Sequence, residues 1–355
     1  MGSRATIYSP LGIPLTDISA NVFRSRQIAG PSEAWFEIAT NENACKDEFL
    51  RFGNILVVEH DTLPQWVGFI DFPREWNDGK VKVNAISAEI IMDWRMCLPT
   101  LLEGYTASNC IRAIIAQCNQ WPGLKLFEGS IDDANAGPAR NWVIGGKASD
   151  MMLNTNAEWD ITAAEVGGVL RLYVNAYKSM GVSTRFVLDE TNSKNTSPKL
   201  TENGPILNYL FVVASAATAN AQNYIEIKDD YSIARYGLRQ YIFEMDNLSL
   251  SDLQVTADGR LSAFKDVTYT ATPTVLDVGS AFLNIRLGNR IGWSNAEAGF
   301  NGSSIGAFTT MRIIGYEYDE ATNQCGLVAK TNLLNPPEGM FSAETDGKIQ
   351  FFTGQ

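Results

Sequence analysis

Ile55-Leu-Val-Val-Glu59, Trp66-Val-Gly-Phe-Ile-Asp71 and Lys80-Val-Lys-Val-Asn84 decide the fold class of this chain. The first is a short apolar run. The second is entered through Leu63-Pro64, which suits a strand start or a sheet edge, because proline has no amide to give to a ladder. The third alternates charged and apolar residues, as a strand buried on one face does. Between the last two, Asn77-Asp78-Gly79 signals a tight turn, since glycine takes the positive φ such turns need. Residues 55–84 therefore read as an antiparallel meander.

Just before the meander stands Arg51-Phe-Gly-Asn-Ile55, and the last third carries Arg286-Leu-Gly-Asn-Arg-Ile291. Each occupies a place where one strand is predicted to end, a Gly-Asn turn follows and another strand begins. Each precedes a strongly apolar strand, Trp66–Asp71 in one case and Met311–Tyr318 in the other. The echo fits two related β-barrels in one chain. Two ordinary Gly-Asn turns would leave the same four matched residues.

The middle of the chain changes period. Ser108 is a candidate cap for a helix with Ile111, Ile114, Ile115 and Cys118 at i, i+3, i+4 and i+7, stopped by Trp121-Pro122-Gly123. A second helix is predicted from a Ser149 cap through Met152 and Leu153, then a hairpin of Trp159–Thr162 and Val169–Val174 through Gly167-Gly168. Asp189 to Pro205 is rich in Asn, Ser, Thr, Lys and Pro and reads as a long exposed loop. Leu207 to Ala217, broken by Asn208 and Ser215, reads as a buried strand. Further strands are predicted at Tyr224–Ile227, Leu238–Phe243, Phe282–Leu287, Thr309–Tyr318, Cys325–Lys330 and Lys348–Phe352. Ser251 is placed as the cap of a helix with Leu253, Ala257, Leu261 and Phe264 on one face. The expected fold class is mainly β with an α+β insertion, as two related β-barrel domains. The first barrel spans 1–98, completed by a strand in 206–236; the α+β region spans 99–205, with the polar loop 189–205. The second barrel spans 237–340, and 341–355 is a C-terminal tail.

The chain has 355 residues, with 28 Lys+Arg against 40 Asp+Glu, a net charge of −12. That balance argues against a nucleic-acid backbone binder, which needs a basic face to release counterions. Hydrophobic residues at 45% exclude general disorder, while a charged fraction of 19% is low for a soluble surface and calls for cover by uncharged groups or other protein. Cys45, Cys97, Cys110, Cys118 and Cys325 form no C-x-x-C pair and read as reduced and buried. Met1-Gly2-Ser3-Arg4-Ala5-Thr6 fits a myristoylation pattern without the polybasic second signal that stable anchoring needs, so no membrane anchor is expected.

Catalytic motifs are missing. His60 is the one histidine, in Glu59-His60-Asp61, and no Gly-x-Ser-x-Gly elbow occurs, which disfavours a hydrolase triad and a histidine-based zinc site. Gly145-Gly-Lys-Ala-Ser149 lacks both the first Walker glycine, replaced by Asn141, and a hydroxyl directly after Lys147. Asp132-Asp133, Asp229-Asp230 and Asp319-Glu320 are adjacent acids, which read as solvated turn residues rather than as a glycosidase dyad or a calcium loop. Trp66, Trp76, Trp94 and Trp293 would stack on sugars if they lined one groove. No catalytic, cofactor-binding or metal residue is assigned, and no cofactor is expected.

Several segments together resemble the opening barrel of phage tail-hub proteins: Gly53-Asn-Ile-Leu-Val-Val-Glu-His60, Leu63-Pro-Gln-Trp-Val-Gly-Phe-Ile70, Pro73-Arg-Glu-Trp76, and Ser87-Ala-Glu89 closing toward Arg95. The later order is similar too, with Leu101-Leu-Glu-Gly104 before a helix ending near Asn119, a strand containing Trp159, Asp230-Tyr-Ser-Ile233 with Tyr236-Gly237, a helix, and Arg286-Leu-Gly-Asn289. The resemblance covers roughly residues 20 to 330, excluding Pro198 to Ala217. It implies a non-enzymatic structural hub of a tail tip or baseplate, located in the virion and assembled in the host cytoplasm. It further implies a homotrimer that joins a six-fold tail tube or distal tail protein to a three-fold spike, fibre or tail-tip protein, with a tape-measure end as a further partner. DNA would pass through its acidic channel without specific binding. The alternatives are a carbohydrate-binding receptor protein of the tail, or a glycosidase or peptidoglycan hydrolase.

Overall fold

A computed structural model describes residues 3–133, 139–155, 157–189, 191–194, 200–203, 205–215, 224–246, 250–266, 268–293, 309–331, 344–345 and 348–349. The N-terminal third supplies seven strands: β1 (Arg4–Tyr8), β2 (Pro14–Ile18), β3 (Val22–Gln27), β4 (Glu33–Ala39), β5 (Ile55–Glu59), β6 (Trp66–Asn77) and β7 (Lys80–Ser87). Their order is β3-β4-β7-β6-β5-β1-β2, with every neighbouring pair antiparallel. The meander forms as predicted. Asn77 pairs with Lys80 across a two-residue turn whose Asp78 and Gly79 have φ of 45° and 75°, the geometry that matches strand twist in a tight hairpin. β5 is an unbroken apolar run because both its faces are covered. Leu56 and Val58 pack with Phe36, Ile38, Trp66 and Ile70, while Ile55 and Val57 pack with the helical region described next. Gly68 is required where β6 passes β7, since a Cβ there would lie 2.3 Å from the Ile86 carbonyl oxygen.

The middle region contains α1 (Ile91–Trp94), β8 (Met96–Tyr105), α2 (Ala107–Cys118), β9 (Leu126–Ile131), β10 (Arg140–Lys147), α3 (Ala148–Asn154), β11 (Glu158–Val166) and β12 (Val169–Tyr177). Ile111, Ile114, Ile115 and Cys118 form the buried face of α2, against Ile161, Leu172 and Val174. The cap is Thr106, not Ser108: Thr106 has the extended backbone a cap needs and accepts the Asn109 amide at 3.3 Å, whereas Ser108 is buried inside the first turn. Likewise Ser149 lies within the first turn of α3 and donates to Asp93, and Lys147 precedes the helix without a side-chain cap. β11 and β12 form the expected hairpin, turned by Gly167 and Gly168 at φ of 63° and 77°. β8, unforeseen, pairs among the described residues with β10 alone.

The last part runs β13 (Ser183–Leu188), β14 (Leu200–Asn203), β15 (Tyr209–Ser215), β16 (Tyr224–Lys228), α4 (Asp230–Tyr236), β17 (Gln240–Asp246), α5 (Leu250–Phe264), β18 (Thr268–Ala271), β19 (Thr274–Leu276), β20 (Arg290–Trp293), β21 (Thr309–Asp319) and β22 (Gln324–Thr331). Three expectations fail here. The predicted strand Phe282–Leu287 is a 3-10 turn over Ala281–Asn284, entered through Ser280 in the left-handed conformation; Phe282 is apolar because the turn buries it, not because it alternates. The loop 189–205 is not wholly exposed: among its described residues Asn192 and Ser193 are buried, Ser193 bridges to Val275, and Leu200–Asn203 is a strand. Ser251 falls inside α5 rather than at its cap. Of the tail, Glu344–Thr345 and Lys348–Ile349 pair as a minimal hairpin, while 350–352 lie outside the described residues.

The chain divides into two compact units, one within 1–196, 273–293 and 310–329, the other within 197–272, 294–309 and 330–355. In the first, β21 pairs antiparallel with β3, from Gly315↔Gln27 to Asp319↔Phe23, and its sheet reads β22-β21-β3-β4-β7-β6-β5-β1-β2. In the second, β15 lies between antiparallel β16 and parallel β17, and Leu210 and Val212 pack on Leu253, Ala257 and Leu261 of α5. Within 206–236, β15 and β16 share a sheet with β17 and, among the described residues, do not pair with β1–β7; the free edge of β3 pairs with β21 instead. The chain is mainly β, with a few helices interspersed along it.

Candidate functional site

The Gly-Asn echo is a repeated backbone corner. Gly53 and Gly288 have φ of 84° and 80°. The Gly53 amide donates to the Ile70 carbonyl (3.0 Å) and Ile70 donates back to Asn54 (2.8 Å); the Gly288 amide donates to Ile313 (2.7 Å) and Ile313 donates back to Asn289 (2.9 Å). The Asn54 amide reaches the Arg51 carbonyl, and the Asn289 amide the Arg286 carbonyl, each at 3.1 Å. Both asparagines are buried, and each side-chain amide donates to the carbonyl five residues earlier, Phe49 at 2.7 Å and Asn284 at 2.9 Å. Matching strands flank both corners: β5-β6-β7 around the first, β20-β21-β22 around the second, with β4 and β19 pairing on β7 and β22.

The surroundings differ. Nothing lies within 4 Å of a Cβ built on Gly53, whereas one on Gly288 would lie 2.0 Å from the Met180 carbonyl oxygen. Arg51 is exposed and Phe52 stacks on Phe72, ring centres 4.9 Å apart. Arg286 is half-buried and donates to the carbonyls of Phe282 (3.2 Å), Ile285 (2.8 Å) and Thr62 (2.9 Å). Beside Gly288, Arg312 forms a two-pronged pair with Glu158, which also accepts the Met180 amide at 2.6 Å.

Where β3 meets β21 the interior is polar. Arg26 binds Glu89 (3.0 Å) and the Gln65 carbonyl (2.8 Å), with Asp160 at 3.8 Å, and Glu89 also accepts the Ile161 amide (3.0 Å). Arg24 is fully buried with one weak bond, to the Val58 carbonyl at 3.4 Å. Its Nε and second terminal nitrogen have no partner, and its guanidinium stands 5.3 Å from the Tyr318 ring centre. Burial pulls its proton affinity down, and a buried cation without a carboxylate is a net cost to stability. His60 joins this seam. Its Nδ1 accepts the Thr62 and Leu63 amides (3.1 and 3.2 Å), so the ring is neutral with the proton on Nε2, which faces the Tyr318 hydroxyl at 3.2 Å. Burial, then the Arg24 charge, lowers its pKa.

The acidic pairs have structural partners. Asp133 holds Arg112 at 2.8 Å, Asp229 caps α4 and pairs with Lys265 at 2.6 Å, and Asp230 pairs with Lys228 at 2.9 Å. Asp319 closes its own turn through Ala321 and Thr322, and Glu320 accepts the amides of Ser3 (2.6 Å) and Val22 (3.0 Å). Trp66 and Trp293 are buried while Trp76 and Trp94 are exposed, so the four do not line one groove. Gly145 and Gly146 lie in strand β10, not in a phosphate loop. Among the described residues no group of three or more His, Cys, Asp or Glu side chains could hold a metal ion. What the surface offers is apolar contact. On the β8–β10 ribbon, Met96, Leu98, Leu101 and Val143 are exposed, Val143 at 78%, with Leu101 and Val143 directly paired. Nothing in the residue pattern of 96–105 marked this face, because Pro99 and Gly104 interrupt its alternation.

The chain has the fold of phage tail proteins. Over 93% of its length it superposes on 98% of the 43 kDa tail protein of prophage MuSo2 from Shewanella oneidensis, with a TM-score of 0.59 at 10% identity. It likewise matches 94% of prophage tail protein gp18 from Listeria monocytogenes (TM-score 0.62, 9% identity, 93% of this chain) and 97% of a tail protein from Neisseria meningitidis (0.56, 14%, 94% of this chain). No family model and no curated protein sequence matches.

Proposed function

We propose that this chain is a non-enzymatic structural hub of a phage tail tip or baseplate. The observation that carries the reading is the duplicated corner, a backbone unit made twice by one chain with the same hydrogen bonds and flanking strands. A homotrimer of such chains presents six related units in a ring. That ring fits a six-fold tail tube or distal tail protein on one side and a three-fold spike or fibre on the other, around a channel for DNA, with a tape-measure end inside it. Each corner would belong to one of two barrel-like parts of the first compact unit, which holds both. The apolar ribbon face and the low charged fraction suit a surface covered by other subunits. The place of action is the virion tail, with assembly in the host cytoplasm. The test is the mass in solution: light scattering near three times 39.0 kDa, and capture of six tail-tube subunits per three chains, support the hub. A stable monomer at micromolar concentration that binds no tube subunit overturns it.

A further inference from the structure

The register of β3 on β21 pairs Arg24 with Tyr318 and Arg26 with Tyr316, and all four side chains enter one buried face of the junction. Tyr316 is thereby the diagonal neighbour of Arg24, within reach of a side chain as long as arginine. Arg26 is satisfied by Glu89 and the Gln65 carbonyl, and the Tyr318 hydroxyl meets His60 and Asn323, each at 3.2 Å. Arg24 and Tyr316 are not satisfied. Nε and Nη2 of Arg24 and the Tyr316 hydroxyl are enclosed without a hydrogen-bond partner among the described residues. The two nitrogens are not a random pair: Nε–H and one Nη2–H point the same way and form the fork with which a guanidinium grips an anion. The fork is held from other sides, by the Val58 carbonyl on Nη1 at 3.4 Å and by the Tyr318 ring centre 5.3 Å from Cζ. Burial raises the Tyr316 pKa above its ordinary 10.0, so the hydroxyl keeps its proton and can donate.

Charge points the same way. Arg24, Arg26 and the half-buried Arg286 bring three positive charges to this interior, against the two carboxylates of Glu89 and Asp160. Both acids are committed, Glu89 to Arg26 and the Ile161 amide, Asp160 to Asn175 at 2.9 Å. Glu320, in the turn after β21, spends one oxygen on the Ser3 amide and the other on the Val22 amide. One positive charge is left over, and it sits at the fork. We propose that the Arg24 fork and the Tyr316 hydroxyl bind a single chloride ion inside the β3–β21 junction. A monovalent ion balances the charge left over, and a spherical one accepts from donors at any angle. Sulfate or phosphate brings a second charge and more oxygens than these donors satisfy, which a closed interior penalises. The ion joins a strand of the N-terminal third to one of the last third and offsets the cost of the lone guanidinium.

The test compares urea unfolding of the full chain in sodium chloride and in sodium gluconate, over a concentration series at matched sodium. Chloride should raise the unfolding midpoint. Above the dissociation constant, each tenfold rise in chloride should multiply the folding equilibrium constant about tenfold. Gluconate is too large for a closed interior and should give only a general salt response. Arg24→Met, of similar length, should fold and lose the difference between the two salts, because a buried charge can be exchanged for an apolar side chain without loss. Tyr316→Phe removes one donor and should need about tenfold more chloride for the same gain. If Arg24→Met does not fold, crystals of the wild-type chain grown in bromide decide. An anomalous peak at hydrogen-bonding distance from Arg24 Nε and Nη2 supports the site. Water density there without anomalous signal overturns it. Identical midpoints in chloride and gluconate also overturn the proposal, as does a chloride response that Arg24→Met retains.

Discussion

The corners at Gly53-Asn54 and Gly288-Asn289 share a backbone, an asparagine side-chain bond and flanking strands, but not their surroundings. Their φ angles, their exchange with the next strand and their asparagine side-chain bonds coincide. Around the first corner there is open space and an exposed arginine; around the second, Met180 and Gly181 press against the glycine and Arg286 ties down three carbonyls. The same local hydrogen-bond pattern occurs twice, and each copy has its own long-range contacts. Identical substitutions at equivalent positions should therefore separate the two layers of structure.

The largest separation is expected at the glycines. Gly288→Ala combines a left-handed backbone with a collision against Met180 and should cost at least about 3 kcal/mol. Gly53→Ala meets open space and should cost about 1–2 kcal/mol for the backbone alone. Denaturant midpoints of the two variants check this, and equal losses would erase the contrast. The asparagines should behave alike: Asn54→Ala and Asn289→Ala each strand buried carbonyls, at about 2 kcal/mol apiece. A loss at one corner only would mean that the repeat is decorative there. Arg286→Ala should cost about 1–2 kcal/mol through its carbonyl bonds, and Arg51→Ala, at an exposed position, less than about 0.5 kcal/mol.

The smallest effect is one of pH. Arg286 reaches the Thr62 carbonyl, in the loop that His60 organises. The folded pKa of His60 is lowered from 6.5, so the unfolded chain binds a proton more readily than the folded one. Its contribution is complete above the unfolded value and is lost as pH falls from there through the folded value. His60→Gln should therefore flatten the decline in thermal midpoint between neutral pH and mildly acidic pH. A variant profile parallel to that of the wild type would remove His60 from the seam.

What could be read from the residues was what neighbours decide. The meander, the Asn77-Asp78-Gly79 turn, the Gly167-Gly168 hairpin and the buried face of α2 all depend on spacing within a dozen positions. The cap of α2 was misplaced by two residues because Thr106 and Ser108 both carry a hydroxyl, and only backbone conformation separates them. Phe282–Leu287 looked like a strand because burial in a turn and burial in a sheet select the same apolar side chains. The pairing of β3 with β21 and the polar seam behind it were not readable. They depend on which distant segments meet, and no local period encodes that. Of the candidate site, the corner was visible as four repeated residues, but its hydrogen bonds and its unequal surroundings were not.

Gln27 and Gly315 are register partners, so β3 emerges from the ribosome long before its second neighbour exists. At about 5–20 residues per second, elongation from one to the other takes about 15–60 s. Throughout that interval one edge of β3 has no strand to pair with, while other nascent copies on the same messenger present the same edge. Inward-pointing charges are a recognised means of keeping such edges from joining, and β3 carries two, Arg24 and Arg26, both buried in the finished sheet. Arg24 and Arg26 are thus inward-pointing charges on an edge that stays unpaired until β21 has been made, whatever they cost in the finished sheet.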